Sequence, residues 1–345
     1  MGIADVVRGI ETRANRRGMR KKSEQGWVPE ATGYTGYGSS QRAHVLGRVL
    51  MAQHTEPQTL VMRGYRQFFT TQVPGIDVLV RLGDAEVHSK TNANGYIDVL
   101  LAGHNLEPGW HEAEISVVGN GAFPDQEPVT APVHIIADHT KVGLISDIDD
   151  TIIVTMLPRA ALAAWNSWVK KTNTRQPIPG MDEFYAALLE DDPNAPVFYI
   201  STGAWNTYDT LVSFIEKHHL PRGPLLLTDW GPTPTGLFRS GQEHKKVQIR
   251  NLFIEFPEIN WILIGDDGQH DPLIYGEAIF EHPDRIKQVA IRRLSPQEHV
   301  LSHGTTSALS QPEHYPNTPT ISGRDGHELL RQWRAQESGE SPSDI

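Results

Sequence analysis

The hydrophobic period of this chain changes near Lys141, and no single kind of sheet accommodates both patterns. From about residue 44 to 138, apolar residues recur at every second position. Segment 44–51 (HVLGRVLM) reads as a strand, and 77–82 (DVLVRL) alternates with Val78 and Val80 on one face. Segment 95–101 (GYIDVLL) follows the turn residues Asn92, Ala93 and Asn94, 112–118 places Ala113, Ile115 and Val117 on one face, and 132–136 (PVHII) closes the run. Short strands with this punctuation predict a small antiparallel β-sandwich. Beyond Lys141, short unbroken apolar runs alternate with amphipathic ones. Strands are expected at 142–146, 197–200, 225–227, 261–264 and 286–291, and helices at 181–190, 206–218 (with Asn206 as N-cap), 244–256 and 271–280. Apolar strands between helices predict an α/β domain, a parallel sheet with helices on both faces. In such sheets the chemistry lies beyond the carboxyl ends of the strands.

The 345-residue length fits two domains with appended segments. The expected division is 1–22, a basic amphipathic helix; 23–43, an irregular segment; 44–138, the β-sandwich; 139–296, the catalytic α/β domain; and 297–345, a polar tail with a short helix at 328–335. Gly33, Gly36 and Gly38 lie in the irregular segment without a strand–turn–helix setting, which argues against a dinucleotide site there. The absence of cysteine excludes disulfides, thiolate-bound metals and thiol catalysis. No apolar run approaches the length of a membrane span and no secretory h-region opens the chain, so a cytoplasmic location is expected. The net charge of −11 argues against a nucleic-acid binder. Residues 1–22 carry a net +5, which leaves −16 on the rest. Ile3, Val7, Ile10 and Ala14 recur at helical spacing. Two readings fit this segment: a helix lying peripherally on an anionic membrane surface, or a solvated or self-packed helix.

Four elements at strand ends point to one site. The first expected strand ends in Ser146-Asp147-Ile148-Asp149-Asp150-Thr151. Three carboxylates in four positions repel one another and call for a cation or a catalytic purpose. An EF-hand is excluded, since its sixth and twelfth positions would be Ile152 and Pro158. The second strand ends in Ser201-Thr202-Gly203 before a helix, a pattern suited to a phosphate. Lys245 and Lys246 begin a helix, where the dipole disfavours a cation. The fourth element is Gly265-Asp266-Asp267-Gly268-Gln269-His270-Asp271. Two acidic clusters at strand mouths of one sheet favour an oxygen-ligated Mg²⁺.

DIDDT followed in order by Ser201, Lys245 and the GD…D element resembles the haloacid-dehalogenase-like (HAD) phosphatases. YISTGAWN, HKKVQIRNLFIEFP and WILIGDDGQHDPLIY resemble, more narrowly, the catalytic domain of the actin-patch-type phosphatidate phosphatases and their bacterial relatives, over roughly 140–295. One departure is Asp267, where that pattern has serine; it adds a negative charge beside the metal element. The resemblance implies that Asp147 is the nucleophile, forming an aspartyl-phosphate, and that Asp149 is the general acid and base. It implies that Asp147, the carbonyl of Asp149, Asp266 and Asp271 hold Mg²⁺. Ser201 with Thr202 and Gly203, and Lys245, would bind the phosphoryl group, with Thr202 and Lys246 as adjacent alternatives. The implied substrate is a phosphomonoester, first phosphatidic acid, then a soluble metabolite or phosphoprotein. A different class of function, a surface adaptor with a relic catalytic domain, is disfavoured by the full acidic set. Trp165, Trp168 and Trp205 are candidates for an apolar rim around a lipid headgroup.

Overall fold

A computed structural model describes residues 17–52, 71–119, 121, 123–154, 176–228, 241–268, 270–303, 315 and 317–339. The expectations for Ile3, Val7, Ile10, Ala14, Trp165 and Trp168 lie outside these residues. The chain divides into two compact units. The first comprises Met1–Asp138, Ala204–Asp209 and Asp229–Arg239, and the second His139–Gly203, Thr210–Thr228 and Ser240–Ile345.

In the first unit seven strands run β1 (Val28–Gly38), β2 (Arg42–Ala52), β3 (Asp77–Leu82), β4 (Ala85–Lys90), β5 (Tyr96–Ala102), β6 (Gly109–Val117) and β7 (Val129–Ile135). They form one sheet in the order β4-β3-β6-β7-β1-β2-β5. The expected sandwich is met in part: β1 and β7 pair in parallel, the ladders β1–β2, β2–β5, β3–β4, β3–β6 and β6–β7 are antiparallel, and all seven strands share one hydrogen-bonded sheet. Alternation puts one side of each strand into a common core that includes Val45, Val49, Val78, Val80, Ile97, Val99, Ile115, Val133 and Ile135. A single sheet whose strands all feed one core must curl on itself.

The irregular reading of 23–43 is corrected. Residues 17–24 are helical and 28–38 form β1. The glycines that suggested a loop are there because neighbouring backbone leaves no space for a side chain. A Cβ on Gly36 would lie 2.2 Å from the His44 carbonyl oxygen, and one on Gly33 2.3 Å from that of Thr130. Gly36→Ala is therefore expected to destabilise the first unit by about 2 kcal/mol through overpacking, read as a fall in Tm with little change in the second unit. Trp205 also belongs to the first unit; its ring stacks on Tyr34 at 4.7 Å and meets Tyr96 at 6.0 Å, so it is engaged in aromatic packing.

The second unit carries β8 (Val142–Asp147), α1 (Met181–Leu188), β9 (Val197–Ala204), α2 (Tyr208–Lys217), β10 (Leu225–Thr228), α3 (Gly241–Glu255), β11 (Asn260–Asp266), α4 (Asp271–Glu281), β12 (Ile286–Arg292), α5 (Pro296–His303), β13 (Thr320–Gly323) and α6 (Gly326–Ser338), save that Ala204 of β9 and Tyr208 and Asp209 of α2 count with the first. Its sheet runs β10-β9-β8-β11-β12-β13. The pairs β8–β9, β8–β11, β11–β12 and β12–β13 are parallel. The strands are buried on both faces: Leu144, Ile145, Val197, Phe198, Trp261, Ile262, Leu263, Val289 and Ala290 are almost wholly inaccessible. The chain leaves β8 toward β9 and later returns to β11 on the other side. The ends of these three strands therefore flank the point where the winding reverses, where ligands bind in sheets of this kind.

Two further expectations are corrected. Asn206 does not cap α2; it lies in a 3₁₀ turn, Trp205–Thr207, where Thr207 Oγ1 donates to the Ala204 carbonyl at 2.7 Å. The C-terminal stretch is more than a tail with a helix. Thr320–Gly323 adds the sixth strand, and α6 follows, capped by Asp325, whose carboxylate accepts the Glu328 N–H at 2.9 Å.

Candidate active site

Asp147 is the last residue of β8 and is buried. After it the chain turns sharply. Asp150 takes a left-handed conformation (φ 60°), its N–H donates to the Ile153 carbonyl at 2.9 Å, and the Ile152 N–H donates to Ile148 at 3.0 Å. Thr151 Oγ1 is thereby brought back to donate to Asp147 Oδ2 at 3.1 Å. From beneath, Ser146 Oγ donates to the Asp147 carbonyl at 2.6 Å and pairs with the Tyr185 hydroxyl of α1.

Lys245 reaches this carboxylate from the first turns of α3. Its Nζ lies 2.7 Å from Asp147 Oδ1 and 2.5 Å from Asp271 Oδ1. Two buried ion pairs outweigh the unfavourable helix dipole. Lys246 points elsewhere, pairing with Glu277 at 2.6 Å, so Lys245 is the lysine that joins the carboxylates. Asp271 opens α4, where its charge favours the helix N-terminus. Gly265 lets it come close: a Cβ there would sit 2.5 Å from Asp271 Oδ2. Asp266 ends β11; its Oδ1 accepts the Gly268 N–H at 2.7 Å.

Carboxylate oxygens of Asp147, Asp266 and Asp271 all lie within 4.8 Å of one another. Asp149 is not in that cluster by its side chain. It accepts from Ser201 Oγ at 3.1 Å, and Ser201 Oγ in turn accepts the Gly203 N–H at 2.9 Å. Thr202 offers its carbonyl to Thr228 Oγ1 at 2.8 Å. Asp267 turns away from the cluster: its Oδ1 accepts the Leu294 N–H at 2.8 Å and faces His299 at 3.5 Å. The negative charge that Asp267 adds is thus directed at the segment leading into α5. Sequence reading passed over Tyr185 and Arg292, which have no local signal: Tyr185 of α1 meets Ser146 of β8, and Arg292 of β12 meets the Asp150 carbonyl, only once the domain is folded.

The electrostatics follow from three acids around one lysine. Burial, then repulsion from Asp271 and Asp149, raises the Asp147 carboxyl from 3.8 to about 7 despite Lys245. Asp266 is raised well above its ordinary value by burial and by Asp271 and Asp147. Burial opposes the charge on Lys245, but Asp147, Asp271 and Asp266 prevail and raise its pKa. Asp266 Oδ2 is buried with no hydrogen-bond partner. An orphaned carboxylate oxygen, all-oxygen donors and surplus negative charge fit a hard divalent cation.

A pH test follows. A carboxyl whose folded pKa is raised contributes stability that is full below its unfolded value and lost as pH rises through the folded one. In EDTA, Tm should therefore fall between pH ~4 and ~7, and Asp147→Asn should flatten that limb. Stabilisation by a divalent cation should grow over the same window, because the ligands must be ionised. Glu328, lowered from 4.5 to about 2 first by its hydrogen bonds with Arg324, acts oppositely and in a lower window: its contribution is lost as pH falls from 4.5 toward 2. An EDTA-treated protein with a flat Tm across pH 4–8 would contradict this account.

Residues 142–293 match the family model described as phosphatidate phosphatase APP1, catalytic domain. Phosphatidate phosphatase APP1 of Saccharomyces cerevisiae is 29% identical over 172 residues, covering 47% of this chain and 27% of the yeast protein. An uncharacterised protein of Schizosaccharomyces pombe is 25% identical over 233 residues, covering 66% of this chain and 38% of that protein. The chain thus spans less than two fifths of the length of either relative. Among solved structures, the HAD domain of effector protein Lem4 from Legionella pneumophila aligns with a TM-score of 0.31 and 15% identity, covering 45% of this chain and 87% of that one.

Proposed function

We propose, from the premise that residues 142–293 form a phosphatase region of the phosphatidate phosphatase APP1 catalytic type, that this chain is a Mg²⁺-dependent phosphomonoester hydrolase acting on phosphatidic acid. The observation that carries the reading is the convergence of Asp147, Asp266 and Asp271 on one buried point, with Lys245 on two of them. Asp147, Asp266 and Asp271, with the backbone carbonyl of Asp149, would hold Mg²⁺. When bound, the ion offsets negative charge on the phosphoryl group.

In this mechanism the Asp147 carboxylate attacks phosphorus. An Asp147–phosphorus bond forms as the bond to the ester oxygen breaks, giving an aspartyl-phosphate. Asp149, in its acid form, protonates the departing alkoxide. As a carboxylate it then takes a proton from water, whose oxygen displaces Asp147 and releases phosphate. Ser201, already bonded to Asp149, and the Thr202 and Gly203 backbone orient the phosphoryl oxygens. Lys245 holds Asp147 in place and neutralises charge as the bond forms. The lipid assignment rests on the matched family and on the name of the yeast relative. The +5 segment 1–22 is the proposed peripheral contact with an anionic surface.

The test is phosphate release from phosphatidic acid in mixed micelles beside a panel of soluble phosphomonoesters, each with Mg²⁺ and with EDTA. Release from phosphatidic acid with the higher kcat/KM, abolished by EDTA, is expected. A higher kcat/KM on a soluble ester would replace the lipid assignment and keep the phosphatase. Full activity in EDTA would overturn the metal.

A further inference from the structure

Arg292 ends β12 directly beside Asp266, its register partner on β11. Its side chain is buried, and each of its three nitrogens makes a hydrogen bond. Nη1 donates to the Asp150 carbonyl at 2.8 Å, Nε to the Arg324 carbonyl at 3.1 Å, and Nη2 to Glu298 Oε1 of α5 at 2.5 Å. Its own carbonyl accepts the Asp267 N–H at 3.0 Å. One residue thus ties the loop after Asp147, the acidic element after β11, the start of α5 and the chain leading into α6.

The bond to Asp150 falls where the backbone most needs support. A left-handed conformation is disfavoured for a residue with a Cβ, and this turn separates Asp147 from Thr151, which reaches back to it. If the turn relaxed, Asp149 and Ser201 would part company as well.

We propose that Arg292 is a positioning residue: by donating to the Asp150 carbonyl it holds the 147–151 loop in the turn that presents Asp147 and Asp149 together. This rests on the phosphatase reading for its effect on rate, but not for its effect on the loop. The planar guanidinium serves three acceptors at once; an ammonium at the same position cannot span them.

The experiment compares Arg292→Lys, Arg292→Ala and Glu298→Gln with the wild type in the full chain. Two quantities are read: kcat and KM on a soluble phosphomonoester, and hydrogen exchange of peptides covering 148–153. For Arg292→Lys, kcat should fall about 10- to 100-fold with KM held within about twofold, because the groups are misplaced rather than removed. Exchange at 148–153 should quicken, and guanidinium ion should restore part of the activity of Arg292→Ala. Should Arg292→Lys fail to fold, Glu298→Gln, which only loosens the guanidinium, should shift both readouts in the same direction by less. Unchanged kcat, or a loss of kcat with unchanged exchange at 148–153, overturns the proposal. If the wild type hydrolyses no phosphomonoester, the phosphatase reading falls, and the exchange at 148–153 still decides whether Arg292 holds the loop.

Discussion

Asp147→Asn is expected to lower kcat by roughly 10⁴–10⁶-fold, because an amide is a poor nucleophile and no other group occupies its position. The check is twofold: steady-state hydrolysis of a soluble phosphomonoester, and acid-quench trapping of labelled phosphoenzyme, which the wild type should give and the variant should not. Asp149→Asn should behave differently. Its loss of roughly 10²–10⁴-fold should shrink for substrates whose leaving group needs no proton. Covalent label on the Asp147→Asn protein would place the nucleophile elsewhere.

The second large effect is on stability. Lys245→Met leaves Asp147, Asp266 and Asp271 facing one another without their cation. Breaking a buried ion pair in this way costs about 3–5 kcal/mol. The loss should be worst in EDTA at pH 8 and should shrink as pH falls toward 4, where protonation relieves the repulsion. Lys245→Arg should restore little, since contacts of 2.7 and 2.5 Å to two carboxylates suit a compact ammonium. Lys246→Met is the control. Its pairing with Glu277 is at the surface and is worth less than about 1 kcal/mol. Equal melting temperatures for the two methionine variants would refute the buried-pair account.

Much of the second unit was legible because apolar runs at 142–146, 197–200 and 261–264 have no alternative to burial, and one shared sheet sets the ends of β8 and β11, with Asp147 and Asp266, side by side. The strands extend the expected runs by a few residues at most. The failures have physical causes. β1 was hidden because its three glycines report close backbone approach, which in sequence looks like a loop. β13 was hidden because Thr320-Ile321-Ser322-Gly323 carries one apolar side chain, and its place is set by β12 rather than by its own propensity. Choosing between Lys245 and Lys246 required the rotation of α3, which adjacent lysines do not reveal. The effect of Asp267 depended on a partner, Leu294, 27 residues away.

The sixth strand has a consequence for how the protein is made. During synthesis β12 leaves the ribosome before β13, with residues 293–319 between them. At translation rates of about 5–20 residues per second, β12 waits on the order of seconds for its outer neighbour. For that interval Val289, Ala290 and Ile291 line an open sheet edge, the kind of surface that recruits other strands. Until β13 pairs, the nascent chain therefore carries an unpaired edge one strand away from β11, which bears Asp266.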